Sequence, residues 1–332
     1  MIVINGSFGE GGGQIIRTAL TLSAITGKPF KIENVRANRP KPGLQPQHLM
    51  AVKAVRSICR GRVEGAEINS TSFSFIPNKI IGGKYEFNIG TAGSVVLVAQ
   101  TIIPVLLLAE KPSEVRIIGG THVMKSPSYD YFENVFLPAI SRMGATVETR
   151  INRAGFYPIG GGEIEVKIKP SKISGNENWQ SDNKARAVIT LGNLDESIAI
   201  REKKIFLQNG IEEIYMKNYK TLSPGNAVLV WKDFVGAYVL GEKGKRAEIV
   251  AQEAIDEFKR ESAAEVDRHL ADQLLLYAAI AEGRTRYKTS EITEHLKTNA
   301  EVIRLFIEKN NIENNNIVKN NIEIKEKEIV CE

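Results

Sequence analysis

Apolar positions along the chain fall into two periods that alternate in a fixed order. Residues 13–25 carry Ile15, Ile16, Ala19, Leu20 and Leu22 at the three- and four-residue spacing of a helix, residues 30–35 read as a strand, and residues 47–58 return to helical spacing. The order recurs with a helix at 93–108, a strand at 114–118 and a helix at 129–143. It recurs again with a helix at 268–281, a short strand at 285–289 and a helix at 294–308. Alternation at 146–151, 163–168 and 322–330 predicts strands after the second helices. The pattern predicts an α+β protein built from three repeated αβ units.

A long interval, 174–265, separates the second unit from the third. It opens on the polar string Ser174-Gly175-Asn176-Glu177-Asn178 and has its own strands near 187–190 and 227–231 and helical stretches near 212–216 and 246–260. The expected organisation is a large domain made of 1–173 and 266–332, with 174–265 inserted as a small α/β domain. The interval holds none of the unusual strings described below, so it is expected to fold apart from the chemistry. Residues 309–321, rich in Asn, Ile and Lys, resemble low complexity, but the alternation that follows favours a terminal hairpin.

At 332 residues, with 42% hydrophobic and 25% charged positions, the chain has the composition of a globular protein with more than one core. Its start lacks the basic and apolar regions of a secretory signal, and its longest apolar run, 95–109, is short for a membrane span and is interrupted by Gln100 and Pro104. Cys59 and Cys331 have no metal-ligand spacing, which fits free thiols in a reducing compartment. A cytoplasmic protein with no membrane partner is expected. The net charge of +5 is uneven: residues 36–62 carry Arg36, Arg39, Lys41, Lys53, Arg56, Arg60 and Arg62 with no Asp or Glu. A solvated basic face and a phosphate-contacting surface are both consistent with that run; the neighbouring Gln47-His48 favours the second.

Three strings carry candidate chemistry. Gly9-Glu10-Gly11-Gly12-Gly13-Gln14-Ile15-Ile16-Arg17 is a glycine turn leading into a helix. It has neither the P-loop pattern nor the dinucleotide G-x-G-x-x-G context, so any ATP must bind by another architecture. Either it is a plain tight turn, or its helix start, Gln14 and Arg17 hold phosphates while Glu10 holds a divalent cation. His295-Leu296-Lys297-Thr298-Asn299 opens a helix; its imidazole is either a capping group or a nucleophile toward phosphorus, forming a reactive phosphoramidate. His269-Leu270-Ala271-Asp272-Gln273 opens another, where polar Asp272 and Gln273 suit either a helix start or the wall of an adenine or ribose pocket. His269 and His48 compete with His295 for the nucleophile role, and His122, after Gly119-Gly120-Thr121, is unassigned. No Ser-His-Asp spacing, H-E-x-x-H or cysteine cluster offers a rival mechanism.

In combination these strings, with Arg36-Ala37-Asn38-Arg39-Pro40 through Pro46-Gln47-His48 and Gly90-Thr91-Ala92-Gly93-Ser94, resemble the RNA 3'-terminal phosphate cyclases over most of the chain. That family adenylates its own histidine with ATP, passes AMP to an RNA 3'-phosphate, and lets the adjacent 2'-hydroxyl displace AMP to leave a 2',3'-cyclic phosphate. The resemblance implies His295 as the nucleophile. It implies an ATP pocket of Gln100, Pro127, His269, Leu270, Ala271, Asp272 and Gln273. Gln14, Arg17, Arg36, Arg39, Gln47 and His48 would serve the phosphates or the RNA end, and Glu10 a divalent cation, Mg2+ or Mn2+. The implied fold is three units like the C-terminal domain of translation initiation factor three plus a small thioredoxin-like insert, with Val239 and Leu240 near the place of an aromatic contact to adenine. A non-catalytic ribosome-assembly relative would lack the histidine, and a carboxyvinyl transferase with similar units would show paired domains of like size.

Overall fold

The computed structural model describes residues 1–180, 184–307 and 321–332. Its architecture is mixed α+β, and the strands of the described residues form four small sheets. The first holds β1 (Ile2–Asn5), β2 (Phe30–Glu33), β3 (Arg62–Glu64) and β4 (Phe73–Ile76) in the order β1-β2-β4-β3. Strands β1 and β2 are parallel, so a crossover must join them, and α1 (Gly13–Thr26) supplies it. A second helix, α2 (Pro46–Ile58), leads from β2 to β3.

The second sheet repeats that order as β5-β6-β8-β7, from β5 (Lys84–Asn88), β6 (Ser113–Gly119), β7 (Thr146–Arg153) and β8 (Gly162–Lys169). In β8, Ile164, Val166 and Ile168 are fully buried while glutamates and lysines fill the alternate positions, the period-two pattern read from the sequence. Crossover helix α3 (Val95–Leu106) is apolar nearly all round because it is covered on every side, by α1, α2, β6 and β8. The helix expected at 129–143 consists of α4 (Tyr129–Tyr131), a π-helical turn (Phe132–Phe136) and α5 (Leu137–Arg142).

The third sheet lies in the interval, with β9 (Arg186–Gly192), β10 (Glu213–Tyr219), β11 (Gly225–Lys232) and β12 (Val235–Leu240) in the order β10-β9-β11-β12. Helices α6 (Ser197–Gln208) and α7 (Ala247–Glu261) pack on each other around a core of its own that includes Ile189, Phe206, Val230 and Ile255. Two sequence expectations change here. The stretch expected as helix at 212–216 is strand from Glu213 on, because pairing with β9 along seven residues satisfies its backbone and Tyr215 and Tyr219 suit extended chain. The helix α6 was not anticipated.

The fourth sheet is β13 (Thr285–Lys288), β14 (Ile322–Lys325) and β15 (Glu328–Cys331) in the order β13-β15-β14, with α8 (Arg268–Ile280) and α9 (Glu294–Phe306). Residues 174–179 belong beside this sheet: Ser174 bridges Glu282 in parallel, and Trp179 Nε1 donates to Arg286 O at 2.8 Å. The terminal hairpin is β14–β15; the low-complexity stretch before it, and Glu308 of the last expected helix, fall in 308–320, outside the described residues apart from Asn321. One continuous core runs through the first, second and fourth sheets. Within it α1 packs against α2, α3 and α9, and α8 against α9, which brings the beginnings of α1, α2 and α9 to one place.

Candidate active site

Helix α1 begins at Gly12 with no side-chain cap and no acidic residue in its first turn, so its leading N–H groups and partial positive charge are left for an anion. Helix α9 begins beside it, capped by Thr293, whose hydroxyl accepts from Leu296 N at 3.1 Å. That places His295 over the glycine turn: a Cβ on Gly12 would lie 3.7 Å from His295 Cε1.

The imidazole is held at both nitrogens. Gln14 Oε1 lies 2.8 Å from His295 Nδ1, and Glu10 Oε2 lies 2.8 Å from Nε2. Gln14 is itself oriented, because its amide nitrogen donates to Asp272 Oδ1 at 2.5 Å. A carboxylate only accepts, so the amide oxygen faces the histidine and Nδ1 carries the proton. Asn299 completes the chain by donating from Nδ2 to Asp272 Oδ1 at 3.1 Å, and its own oxygen accepts from Thr18 at 2.7 Å. Asp272 is enclosed, and burial raises its pKa against the opposing hydrogen bond from Gln14 and the charges of His295 and Arg17. Gln14, expected at the phosphates, is thus a partner of His295, and Asp272, expected at the adenosine, lies behind it.

Basic groups surround this row. Arg39 Nη2 pairs with Glu10 Oε2 at 2.9 Å, so Glu10 bridges Arg39 and His295. Enclosure lowers the Arg17 pKa to about 10, opposed by Asp272, which leaves it cationic at neutral pH. Arg36 binds backbone oxygens of Gly43 and Lys41 at 3.2 and 3.0 Å, which shapes the basic loop. His48 does not compete for the nucleophile role. Its Nδ1 accepts from Gln45 N at 3.2 Å in a capping box at the start of α2, and burial, with Arg17 and Arg36 nearby, lowers its pKa to about 3. A Cβ on Gly13 would come within 2.2 Å of His48 Nε2, so only glycine lets the two helices meet there. Gln47 turns away, accepting from Ser94 N at 3.0 Å.

Two cavities flank the row. A small one is lined by Gln14, Arg17, Gln100, Asp272, Gln273 and the unpartnered, buried Tyr277 hydroxyl; Gln100 donates to Gln273 at 2.6 Å. A cleft of about 700 Å³ lies beside exposed His269 and includes Gly236, Ala237, Tyr238 and Val239 of β12. The Tyr238 hydroxyl donates to Ser126 O at 2.8 Å, which puts it next to Pro127. The interval therefore supplies one wall of the cleft beside His269. Leu270 and Ala271 are fully buried in the main core and line neither cavity, since adjacent positions on a helix face different ways. Tyr238, Tyr277 and Asn299 join the arrangement without having been singled out; an isolated tyrosine carries no local signal, whereas Asn299 closes the string that begins at His295.

No group of three or more potential metal ligands occurs among the described residues. Glu10 is the one carboxylate at the mouth of the glycine turn, which matches a cation held by one carboxylate and substrate phosphates and not by a protein cage.

The profile described as RTC: RNA 3'-terminal phosphate cyclase matches residues 8–311. The chain belongs to the RNA 3'-terminal phosphate cyclase family. Relatives carrying that name include proteins of Archaeoglobus fulgidus, 45% identical over 93% of this chain and 96% of theirs, and of Sulfurisphaera tokodaii, 45% identical over 93% and 95%. A bacterial one, from Ectopseudomonas mendocina, is 43% identical over 90% of both chains. The solved structure of the enolpyruvyl transferase NikO from Streptomyces tendae is similar only at a TM-score of 0.28 and 10% identity, over 63% of this chain and 38% of that one. Among the described residues no helix is long and apolar enough to cross a membrane.

Proposed function

We propose that the protein converts the 3'-terminal phosphate of RNA to a 2',3'-cyclic phosphate at the expense of ATP, with His295 as covalent carrier of AMP. The observation that carries this is the Gln14 contact: with the Nδ1 proton held by Gln14 Oε1, Nε2 is the nitrogen that becomes the nucleophile once it gives up the proton it directs at Glu10 Oε2, beside the glycine turn where an anion would sit. Nε2 attacks the α-phosphorus of ATP, the P–N bond forms and pyrophosphate leaves. A terminal phosphate oxygen of the RNA then takes AMP, breaking the P–N bond. The neighbouring 2'-hydroxyl attacks the activated phosphorus, loses its proton and expels AMP. A phosphate monoester offers only oxide as leaving group, whereas the anhydride offers AMP to a hydroxyl already in place.

Before attack Nε2 must lose the proton it shares with Glu10, which the Glu10 carboxylate is placed to accept, and Arg39 is placed to keep that carboxyl group once it swings away. With Mg2+ or Mn2+ bound, charge at the phosphates would be neutralised, and Glu10 is the residue to hold such an ion. Arg17, Arg36 and Arg39 are assigned to the phosphates and RNA end, and Gln100, Pro127, His269 and Gln273, with Tyr238, to the adenosine. Residues 1–173 and 266–332, together with 174–179 beside the fourth sheet, are read as three repeats like the C-terminal domain of initiation factor three. The strand order shared by the first two sheets supports this. The rest of the interval, up to residue 265, is read as a thioredoxin-like insert, supported by its βαβ-ββα order and separate core.

Labelled ATP without RNA tests the assignment. Wild-type protein is expected to gain one AMP through an acid-labile, base-stable bond, and His295→Asn none, while His269→Asn remains competent. Normal labelling of His295→Asn, or AMP mapped to another residue, refutes both the carrier and the cyclase reading.

A further inference from the structure

The parallel strands β5 and β6 end at the same edge of the second sheet, and three loops gather there: 89–94, 119–128 and the 154–161 connection between β7 and β8. The 219–225 loop of the interval closes over them, with Ile159 N donating to Ser223 Oγ at 3.2 Å and Leu222 lying against Gly161. On this edge stand Tyr157, Ile159, Leu222 and Met124, at 72%, 55%, 58% and 65% exposure. Large apolar side chains left in water and clustered in space mark an interaction surface.

Two features say what covers it. None of the four loops contains an Asp or Glu, while Lys125 and Lys220 are exposed on them and Arg153 is exposed at the end of β7, so the partner is an anion. The surface is also continuous with the site. A Cβ on Gly160 would lie 2.7 Å from Ala92 Cα, Ser94 N binds Gln47 Oε1 at 3.0 Å, and His48 beside it touches Gly13 at the start of α1. The acid-free stretch 34–48, with Arg36, Arg39 and Lys41, completes one basic track.

The Tyr157 turn is built to stay put. Gly160 N donates to Phe156 O at 2.8 Å, and the Phe156 ring stacks at 5.3 Å on buried His122. His122 Nε2 is 2.9 Å from Asp130 Oδ2, which also accepts from Thr190 Oγ1 at 2.7 Å, while Asp130 Oδ1 accepts from Lys217 Nζ at 3.0 Å. Phe156 packs against Ala227 of β11. A rigid base therefore holds an aromatic ring outward among cations.

We infer that this edge receives the single-stranded RNA immediately 5' of its terminal phosphate, with Tyr157 stacking on a base, Ile159 and Leu222 flanking it, and Lys125, Arg153 and Lys220 meeting the backbone. The inference rests on the cyclase reading for which end of the RNA lies at His295. It makes Tyr157 a positioning residue that serves chains of several nucleotides and is unused by a dinucleotide.

The test is the Kd of fluorescent 3'-phosphorylated RNA, a dinucleotide and a long unpaired oligonucleotide, measured without ATP for wild type, Tyr157→Ala, Tyr157→Phe and Lys125→Ala/Lys220→Ala. Self-adenylation, in which Tyr157, Lys125 and Lys220 are assigned no part, reports that each variant is folded. Tyr157→Ala is expected to weaken the long RNA about tenfold and the dinucleotide not at all, with Tyr157→Phe close to wild type. The double lysine variant is expected to show a shallower salt dependence on long RNA. Unchanged Kd for long RNA with Tyr157→Ala overturns the inference. So does a change in oligomeric mass without a change in Kd, which assigns the patch to protein contact. Because Kd is read without ATP, failure of self-adenylation in wild type would refute the cyclase reading separately.

Discussion

Gln14 holds its amide oxygen 2.8 Å from His295 Nδ1 while its amide nitrogen is committed to Asp272. One side chain thereby fixes the tautomer of the proposed nucleophile, and residues from α1, α8 and α9 are tied into a single row. Gln14→Leu keeps the size and removes the acceptor. It is expected to slow self-adenylation by about 10- to 100-fold, the range for loss of an orienting partner, with ATP affinity nearly unchanged. Single-turnover labelling at saturating ATP checks it; an unchanged rate would show that Gln14 does not set the tautomer.

Glu10→Ala is expected to raise the divalent-ion concentration needed for half-maximal adenylation, because the carboxylate at the glycine turn is gone. Thermal stability should change little, since the Glu10 pairs with Arg39 and His295 are half-exposed. A metal titration that superimposes on wild type would remove Glu10 from the metal's ligands.

His48 makes the fold sensitive to acid. Its folded pKa of about 3 lies below the ordinary 6.5, so between those values the unfolded chain binds a proton that the folded one refuses. Stability is therefore full above about pH 6.5 and falls as pH drops toward 3, by up to about 1.4 kcal/mol per pH unit from this group. His48→Gln should flatten that part of the profile in urea titrations at several pH values. An equally steep profile in the variant would place the acid sensitivity elsewhere.

Asp267 joins the interval to α8. Its carboxylate caps His269 N and Leu270 N at 2.9 Å, accepts from Gly236 N at 3.0 Å, and takes the Tyr131 hydroxyl at 2.8 Å. Asp267→Ala strands these buried donors and is expected to cost about 3 kcal/mol or more. It should also loosen the cleft beside His269, read as a raised KM for ATP. Wild-type melting and KM together would contradict that role.

The sequence by itself determined the elements whose apolar period is long and unbroken. The helices α1, α2, α8 and α9 and the alternation of β8 were legible, because each must bury one face whatever it packs against. The strings at Glu10 and His295 were legible as well, since glycine runs and rare histidines have few structural uses. What joins them was not legible. Gln14 and Asp272 are 258 positions apart, and which of their polar atoms meet depends on how α1 and α8 pack. The short segment at 213–219 suits helix and strand alike until β9 offers its edge. The roles of His48 and Tyr238, one locked into a capping box and the other carried by the interval to the Pro127 loop, were likewise decided only by tertiary contact, because burial and hydrogen-bond partners are properties of the assembled chain.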